Sequence, residues 1–298
     1  MSAFAAALAT ENLVLDGGLA TLLEAHGQDL TSELWSARLL LEDPELIRQA
    51  HLEYFQAGAQ VAISASYQAS FEGFGTLGLD RAAAAALMTR SVTLALEARA
   101  AAPVAVERWV AASVGPYGAV LADGSEYRGD YGLTVTQLRE WHRPRLEVLA
   151  DAGADLLAVE TIPCLAEVEA VLAELAGTGR AAWISLTCAD GRTRAGEPVA
   201  EAFAMMREVE EIVAVGINCT APEAVAELVA SAWEASGKPV LVYPNSGEVW
   251  DPAARSWSGT PGFTAEQVDS WVAAGAAAVG GCCRVGPGQI REIAALLA

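Results

Sequence analysis

Short runs of apolar and β-branched residues alternate along the chain with longer stretches rich in Ala, Leu and Glu. The short runs have the length and composition of strands that are buried on both faces. The longer stretches repeat apolar residues three and four positions apart, which is the spacing of an amphipathic helix. The pattern predicts eight strands, at residues 13–15, 61–64, 109–114, 156–159, 183–186, 213–217, 240–243 and 277–279.

Several of the stretches between strands begin with helix-start signals. Thr220 and Thr264 are each followed three residues later by Glu or Gln, which is the capping-box pattern. Pro222 places a proline in the first turn of the helix predicted after Thr220. Residues 165–175 also have helical spacing. The later strand ends are about 30 residues apart, as successive βαβ units require.

Eight strands that alternate with helices predict an α/β fold, a single (β/α)8 TIM barrel occupying residues 1–298 as one domain. A doubly wound open sheet is the alternative, but no G-x-G-x-x-G motif follows the first strand. Residues 121–131 and 245–259 form long loops after the third and seventh strands. Because barrel active sites use the loops after the strands, both are candidate lids or substrate loops, and both also fit plain surface loops.

Composition narrows the classes of partner. The chain of 298 residues has a formal net charge of −20, which disfavours nucleic acid and anionic membrane surfaces as partners. It has no apolar run of about 20 residues and no signal peptide, so we expect a cytoplasmic protein. Five cysteines, an odd number, do not fit a disulfide framework. Nothing in the sequence sets the oligomeric state.

Three of the cysteines follow predicted strands. Cys219 ends the apolar run of the sixth strand, and the adjacent Cys282 and Cys283 follow the eighth. In a closed barrel both strands end at the same rim, so three thiols can meet there. Three thiolates with a fourth position open are typical of catalytic zinc. Inert buried thiols and a strained disulfide between the adjacent cysteines are the alternatives.

Other residues that bind metals are less well placed. His26, His51 and His142 all lie in helical stretches, where we expect surface or capping positions. A histidine-rich metal site is therefore disfavoured. Cys164 and Cys188 have no neighbouring thiol, and we expect them to be structural.

A zinc ion with three thiolate ligands has a net charge of −1 and is a weak Lewis acid toward water. It is better suited to binding a substrate thiol and keeping that thiol deprotonated at neutral pH, which predicts alkyl transfer to sulfur. A thiolate that attacks a sulfonium methyl group cancels opposite charges, so a partly desolvated pocket favours the reaction.

Other residues at the strand ends fit an amino-acid substrate. Asp16 and Glu160 could hold an ammonium group, although acidic residues at strand ends also cap the helices that follow. Backbone N–H groups at Gly17 and Gly18 could receive a carboxylate. Aromatic rings could face a sulfonium group or simply pack in the core. The candidates are Tyr117, Tyr243, Trp250 and Trp257.

Six motifs resemble those of the homocysteine S-methyltransferases. They are Asp16-Gly17-Gly18-Leu19-Ala20-Thr21, Gly115-Pro116-Tyr117-Gly118-Ala119, Glu160-Thr161-Ile162-Pro163, Gly216-Ile217-Asn218-Cys219, Tyr243-Pro244-Asn245-Ser246-Gly247 and Gly280-Gly281-Cys282-Cys283-Arg284. The two cysteine motifs are specific together, whereas the shorter motifs are weak singly. Residues 122–131, ADGSEYRGDY, are similar to the short bacterial type that uses S-methylmethionine.

The resemblance implies a zinc-dependent barrel that methylates L-homocysteine to methionine. The implied zinc ligands are Cys219, Cys282 and Cys283. The implied substrate-binding residues are Asp16 and Glu160 for the amino group, Gly17 for the carboxylate, Asn245 as an oxygen ligand of zinc before the substrate arrives, and Tyr117 in its own motif. No segment resembles a cobalamin or folate domain, which favours a sulfonium donor, S-methylmethionine first and S-adenosylmethionine second.

Other functions remain open from the sequence. A related enzyme that uses betaine as donor or selenohomocysteine as acceptor is the near alternative. A zinc-buffering or thiol-redox protein is an alternative of another class, although metal storage would not require carboxylates at the strand ends. A barrel aldolase or hydrolase predicts a lysine at a strand end, whereas Lys238, the only lysine, begins a strand.

Overall fold

Eight parallel strands form the centre of the molecule. The computed structural model describes residues 2–28, 35–104, 106–251, 256–259 and 263–298, with only the backbone of 35–37, 249–251 and 256–257. The strands are β1 Leu13–Val14, β2 Val61–Ile63, β3 Trp109–Val114, β4 Leu156–Ile162, β5 Ala182–Leu186, β6 Ile212–Asn218, β7 Val240–Tyr243 and β8 Ala276–Val279. They pair in the order β1-β8-β7-β6-β5-β4-β3-β2. A parallel bridge between Leu15 and Val61 joins β1 to β2 and closes the ring. The predicted (β/α)8 TIM barrel is confirmed.

Helices surround the barrel and follow its strands. They are α1 Ala3–Leu8, α2 Leu19–Ala25, α3 Trp35–Glu42, α4 Pro44–Ala57, α5 Phe71–Thr76, α6 Arg81–Ala101, α7 Tyr117–Leu121, α8 Val135–Ala150, α9 Leu165–Leu175, α10 Val199–Met205, α11 Val225–Ser236, α12 Ala265–Ala273 and α13 Pro287–Leu297. Short 3-10 helices cover Ser125–Tyr127 and Pro222–Ala224. Two hairpins pair Cys188–Ala189 with Arg192–Thr193 and Val249–Asp251 with Ser256–Ser258. Within the described ranges, no helix has the length and apolar character needed to cross a bilayer.

Strand side chains divide between two cores, because successive residues of a strand point to opposite faces. In β3, Trp109 and Ala111 join the cluster inside the barrel, and Val110 joins the core between the sheet and the helices. Phe4 of α1 packs against Trp109 and Trp183, with ring centroids 5.7 and 5.9 Å away. Because Trp109 begins β3, α1 covers the amino-terminal end of the barrel. The opposite, carboxyl-terminal end carries the strand-end motifs identified above.

Only one of the two predicted capping boxes forms. Thr264 accepts a hydrogen bond from the N–H of Gln267, whose side chain accepts one from the N–H of Thr264. The box predicted at Thr220 is wrong. Its hydroxyl accepts the N–H of Cys188 at 3.0 Å and donates to the carbonyl of Asn218 at 2.9 Å. Helix α11 instead starts after a 3-10 turn without a side-chain cap, because the barrel rim uses the Thr220 hydroxyl.

Two of the three histidines are not where we expected them. His51 in α4 and His142 in α8 are fully buried, so a surface or capping position is wrong for both. His142 Nε2 lies 2.8 Å from Glu167 Oε1. Neither ring nitrogen of His51 has a hydrogen-bond partner among the described residues. Burial lowers the pKa of His51 to about 4, because the imidazolium ion would lose its hydration.

We expect His51 to reduce stability in acid. Below pH about 6.5 the unfolded chain binds a proton at this residue, whereas the folded protein binds it only near pH 4. The free energy of unfolding should therefore fall by roughly 3 kcal/mol between these pH values. In His51→Leu this contribution should disappear, giving a flatter dependence on pH in urea unfolding. His26→Gln removes an exposed histidine and serves as control. Equal slopes for wild type and His51→Leu would contradict the expectation.

Candidate metal centre

Three thiols meet at the carboxyl-terminal rim of the barrel. Cys219 follows β6, and Cys282 and Cys283 follow β8. Their sulfur atoms all lie within 4.8 Å of one another. An ion that binds thiolates at about 2.3 Å in tetrahedral geometry holds its sulfur ligands roughly 4 Å apart. The cluster therefore has the size that one metal ion can bridge with small side-chain movements.

Backbone hydrogen bonds link the loops that carry these thiols. The N–H of Asn245 donates to the carbonyl of Thr220 at 3.0 Å, which ties the loop after β7 to the loop after β6. The N–H of Cys282 donates to the carbonyl of Pro244 at 2.8 Å. The Asn245 side chain accepts the N–H of Cys283 at 3.2 Å through Oδ1. Asn245 therefore positions both the sixth-strand and the eighth-strand loop.

Cys219 is held in a strained backbone conformation by its neighbours. Its φ is 47°, and that of Thr161 is 61°, both in the left-handed region, which non-glycine residues rarely adopt. Thr161 donates to Cys219 Sγ at 3.8 Å. The Asn218 amide donates to Thr161 Oγ1 at 2.7 Å, and its oxygen accepts the N–H of Thr161 at 2.8 Å. Asn218 and Thr161 both lie in the motifs quoted above, but no periodicity assigned either one this role.

Hydrogen bonds among the three thiols shift their pKa values in different directions. Hydrogen bonds from Cys219 and Cys282 hold the pKa of Cys283 well below its ordinary value, and a hydrogen bond from Tyr127 adds to this effect. Hydrogen bonds with Cys219 and Cys283 hold the pKa of Cys282 well above its ordinary value. Cys283 is therefore the thiol of the three that loses its proton most readily, and the thiolate is the form that binds a metal ion.

Asp16 and Gly17 lie against the loop after β8. The N–H of Gly281 donates to the carbonyl of Asp16 at 3.0 Å. At Gly280 a Cβ would lie 2.6 Å from the Leu15 Cβ, so only glycine allows this approach. The Asp16 carboxylate is buried and accepts the N–H of Ile63 at 2.8 Å. Burial raises the pKa of Asp16 well above its ordinary value, and the charge of Glu160 raises it further.

Glu160, in β4, is the second buried carboxylate of the rim. Its Oε1 accepts a hydrogen bond from the Ser113 hydroxyl. Burial raises the pKa of Glu160 to about 8, and the charge of Cys219 also raises it. The charge of Glu160 affects Asp16, and the charge of Cys219 affects Glu160. The two buried carboxylates and the thiol cluster therefore form one acidic site.

Tyr117 lies farther along the same rim. Its N–H donates to Glu167 Oε1 at 2.6 Å, and its half-buried ring packs edge-on against Tyr131 and Trp141. No described hydrogen bond joins it to the thiols. The tyrosine that contacts Cys283 is Tyr127, which we did not single out, although it belongs to the quoted segment 122–131.

The other aromatic candidates are Tyr243, Trp250 and Trp257. Tyr243 is buried inside the barrel, where its hydroxyl donates to Ser185 at 2.8 Å and accepts from Trp183 at 3.0 Å. It also reaches Glu160 with a hydrogen bond that lowers the pKa of that carboxyl, so it lines the base of the site from within the barrel. The side chains of Trp250 and Trp257 lie outside the described residues.

The arrangement has clear chemical consequences. Sulfur ligands select soft metals such as zinc and copper(I) over magnesium or calcium. A bound cation would replace the thiol protons, and the carboxylates beside it would attract a positively charged part of a substrate. The site is thus suited to binding a thiol-containing amino acid next to a metal.

Comparisons with known proteins agree with this chemistry. The homocysteine S-methyltransferase family model matches residues 13–297. Homocysteine S-methyltransferase YbgG of Bacillus subtilis (strain 168) is 46% identical over 303 residues, covering 95% of this chain and 93% of that protein. The homocysteine S-methyltransferase of Escherichia coli (strain K12) is 47% identical, covering 95% of this chain and 94% of that protein.

A solved structure matches at similar identity. The metallated form of the homocysteine methyltransferase MmuM from Escherichia coli has a TM-score of 0.87 and 45% identity, covering 96% of both chains. A metallated structure of this fold and three clustered thiols indicate a metal site in this chain. The chain belongs to the homocysteine S-methyltransferase family and is a methyltransferase enzyme.

Proposed function

We propose that the enzyme transfers a methyl group from S-methylmethionine to the thiol of L-homocysteine, using Zn²⁺ held by Cys219, Cys282 and Cys283. The observation that carries the proposal is the cluster of three sulfurs within 4.8 Å. It lies beside two buried carboxylates, Asp16 and Glu160. Thiolates bind zinc, and the carboxylates suit the ammonium group of an amino acid.

The reaction balances without a further reactant. Zn²⁺ held by Cys219, Cys282 and Cys283 would lower the pKa of a substrate thiol, so that the thiol would lose its proton near neutral pH. The homocysteine sulfur forms a bond to the methyl carbon as the bond from that carbon to the sulfonium sulfur breaks. The electron pair of the broken bond stays on the donor sulfur, which becomes a neutral thioether, and the thiol proton passes to solvent. With S-methylmethionine as donor, both substrates become methionine.

The chain's own residues orient homocysteine. We assign its ammonium group to Asp16 and Glu160, which ionise as the positive charge arrives. We assign its carboxylate to the backbone at Gly17. Asn245 positions Cys283, and its carbonyl oxygen has a second lone pair suited to the metal before the substrate binds. Tyr117 supplies an aromatic wall on the α7 side of the rim.

Domain organisation and location are parts of the same proposal. Residues 1–298 act as one homocysteine-binding barrel domain, supported by a hydrophobic cluster that includes residues from Val14 to Ile293. A cytoplasmic location is supported by the five free cysteines, because reducing conditions keep thiols free.

Donor choice can be tested with purified zinc-loaded protein and L-homocysteine. S-methylmethionine should give two methionines per donor consumed, measured by mass spectrometry with an isotopically labelled homocysteine. S-adenosylmethionine should be the slower donor. Betaine should give none, because its nitrogen lacks the leaving-group chemistry of a sulfonium. Turnover with betaine and none with either sulfonium donor would contradict the proposal.

Metal binding can be tested with Cys219→Ser. This variant should bind less than one zinc per chain and, when loaded with cobalt(II), show weaker thiolate-to-metal charge-transfer absorption, because one of three thiolate ligands is gone. Cys188→Ser is the matched control, since Cys188 is buried outside the cluster and burial raises its pKa to about 12. Full zinc content and full turnover in Cys219→Ser would refute this assignment.

The role of Glu160 predicts a proton release. Its pKa of about 8 in the free protein means that it is largely protonated at pH 7, and an incoming ammonium group would lower that pKa. Binding of methionine at pH 7 should therefore release a proton and tighten as pH rises toward 8. Glu160→Gln should lose this release and bind roughly 10-fold or more weakly, as expected for a lost charged hydrogen bond. Calorimetry in buffers of different ionisation enthalpy measures both. Equal proton release in the variant would contradict the assignment.

A further inference from the structure

Glu126 has a buried carboxylate oxygen that no described residue hydrogen-bonds. It lies in the 3-10 helix Ser125–Tyr127, in the loop that follows α7. The residue is half-buried, but its Oε2 is fully buried and meets no hydrogen-bond partner among the described residues. The loop is held close to α7, since a Cβ on Gly118 would lie 2.4 Å from the Glu126 nitrogen. A buried carboxylate oxygen without a partner is costly unless something binds there.

The electrostatic neighbours of Glu126 belong to the metal centre. Burial, together with the charge of Cys219, raises its pKa to about 7. The charge of Glu126 raises the pKa of Tyr67, whose hydroxyl hydrogen-bonds Thr161. Thr161 in turn donates to Cys219 Sγ at 3.8 Å. The adjacent Tyr127 hydrogen-bonds Cys283. Glu126 therefore borders the thiol cluster from the loop after α7.

The charged side chains near Glu126 have other partners. Arg128 lies 3.5 Å from Asp123 and 3.3 Å from Asp130, and it lowers the pKa of Glu126 only slightly. Asp123 raises that pKa. Arg194 lies over the Tyr127 ring at 5.4 Å and donates to the carbonyl of Cys219 at 3.3 Å. None of these contacts supplies a cation to the Glu126 oxygen.

We propose that Glu126 binds the cationic group of the methyl donor, beside the ring of Tyr127. The proposal rests on the proposed function. For in-line transfer, the donor methyl must come within about 3–3.5 Å of the homocysteine sulfur, so the sulfonium lies next to the thiol cluster. Asp16 and Glu160 are assigned to the ammonium group of homocysteine. Of the described carboxylates at the thiol cluster, Glu126 is then the one left for a cationic group of the donor. Arg194 already lies over the Tyr127 ring, so the attraction for the donor comes from the Glu126 carboxylate.

Glu126 should act on donor binding more than on the chemical step. The sulfonium charge disappears as the methyl group leaves, so a carboxylate beside it stabilises the bound donor at least as well as the transition state. Removing the negative charge should therefore raise the donor KM and leave kcat nearly unchanged. Homocysteine should bind as before, because its assigned carboxylates are unaltered.

The test compares Glu126→Gln with wild type at pH 8, using two donors. S-methylmethionine has both a sulfonium and an ammonium group, whereas dimethylsulfonioacetate has only the sulfonium. For Glu126→Gln we expect the Kd of S-methylmethionine in calorimetry with zinc-loaded protein, and its KM, to rise roughly 10-fold or more. The kcat should stay within about threefold, which is a small change in barrier. Glu126→Asp should recover part of the affinity.

Asp130→Asn is the matched control, because it removes an exposed carboxylate from the same loop, and it should leave both constants unchanged. Weaker binding of both donors to Glu126→Gln supports the proposal and assigns Glu126 to the sulfonium. Weaker binding of S-methylmethionine alone supports it and assigns Glu126 to the ammonium group. Unchanged donor Kd and KM, or an equal rise in the homocysteine KM, overturns it. Absence of methionine formation by wild type would refute the proposed function, while donor calorimetry would still decide the role of Glu126.

Discussion

Crowding of five acidic groups at one end of the barrel determines what the site can bind. Three thiols and two carboxylates meet there, and burial or neighbouring charge raises the pKa of most of them. In the described part of the chain, no arginine or lysine lowers the pKa of Asp16 or Glu160. Such a rim is electrostatically incomplete without cations. The proposed reaction brings four: a metal ion, the ammonium group of homocysteine, and the sulfonium and ammonium groups of S-methylmethionine.

The barrel keeps these groups together through its rim rather than through its core. Cys219, Thr161 and Arg284 have positive φ values of 47°, 61° and 67°, and each such conformation costs on the order of 1–3 kcal/mol. Hydrogen bonds between the loops after β6, β7 and β8 hold them in place. Arg284 is fixed by its N–H to Thr21 and by its side chain to Glu248. These contacts hold the three sulfur atoms within 4.8 Å of one another.

The fold was readable from the sequence because its signals are local and repeated. Each strand is a short buried run, and each run from β1 to β8 recurs after about one βαβ unit. The position of Cys219 relative to Cys282 and Cys283 followed from topology, since parallel strands of a barrel end at one rim. Helix starts were less reliable: the hydroxyl of Thr220 serves the rim rather than a helix, a choice made by tertiary contacts.

The finer parts of the site could not be read in this way. Burial of His51 and His142 depends on which helix face packs inward, and a single polar residue in a helix does not reveal that. The contact of Tyr127 with Cys283 depends on the path of an irregular loop. The open oxygen of Glu126 is likewise a tertiary property, visible only once the partners of its neighbours are known.

X-ray absorption at the zinc edge counts the sulfur atoms bound to the metal, and so tests whether the three thiols bind one zinc ion that then receives the homocysteine sulfur. We expect three sulfurs and one lighter ligand in the zinc-loaded enzyme, at about 2.3 Å for sulfur. Addition of L-homocysteine should raise the count to four sulfurs. A spectrum with fewer than three sulfurs, or one that homocysteine leaves unchanged, would contradict it.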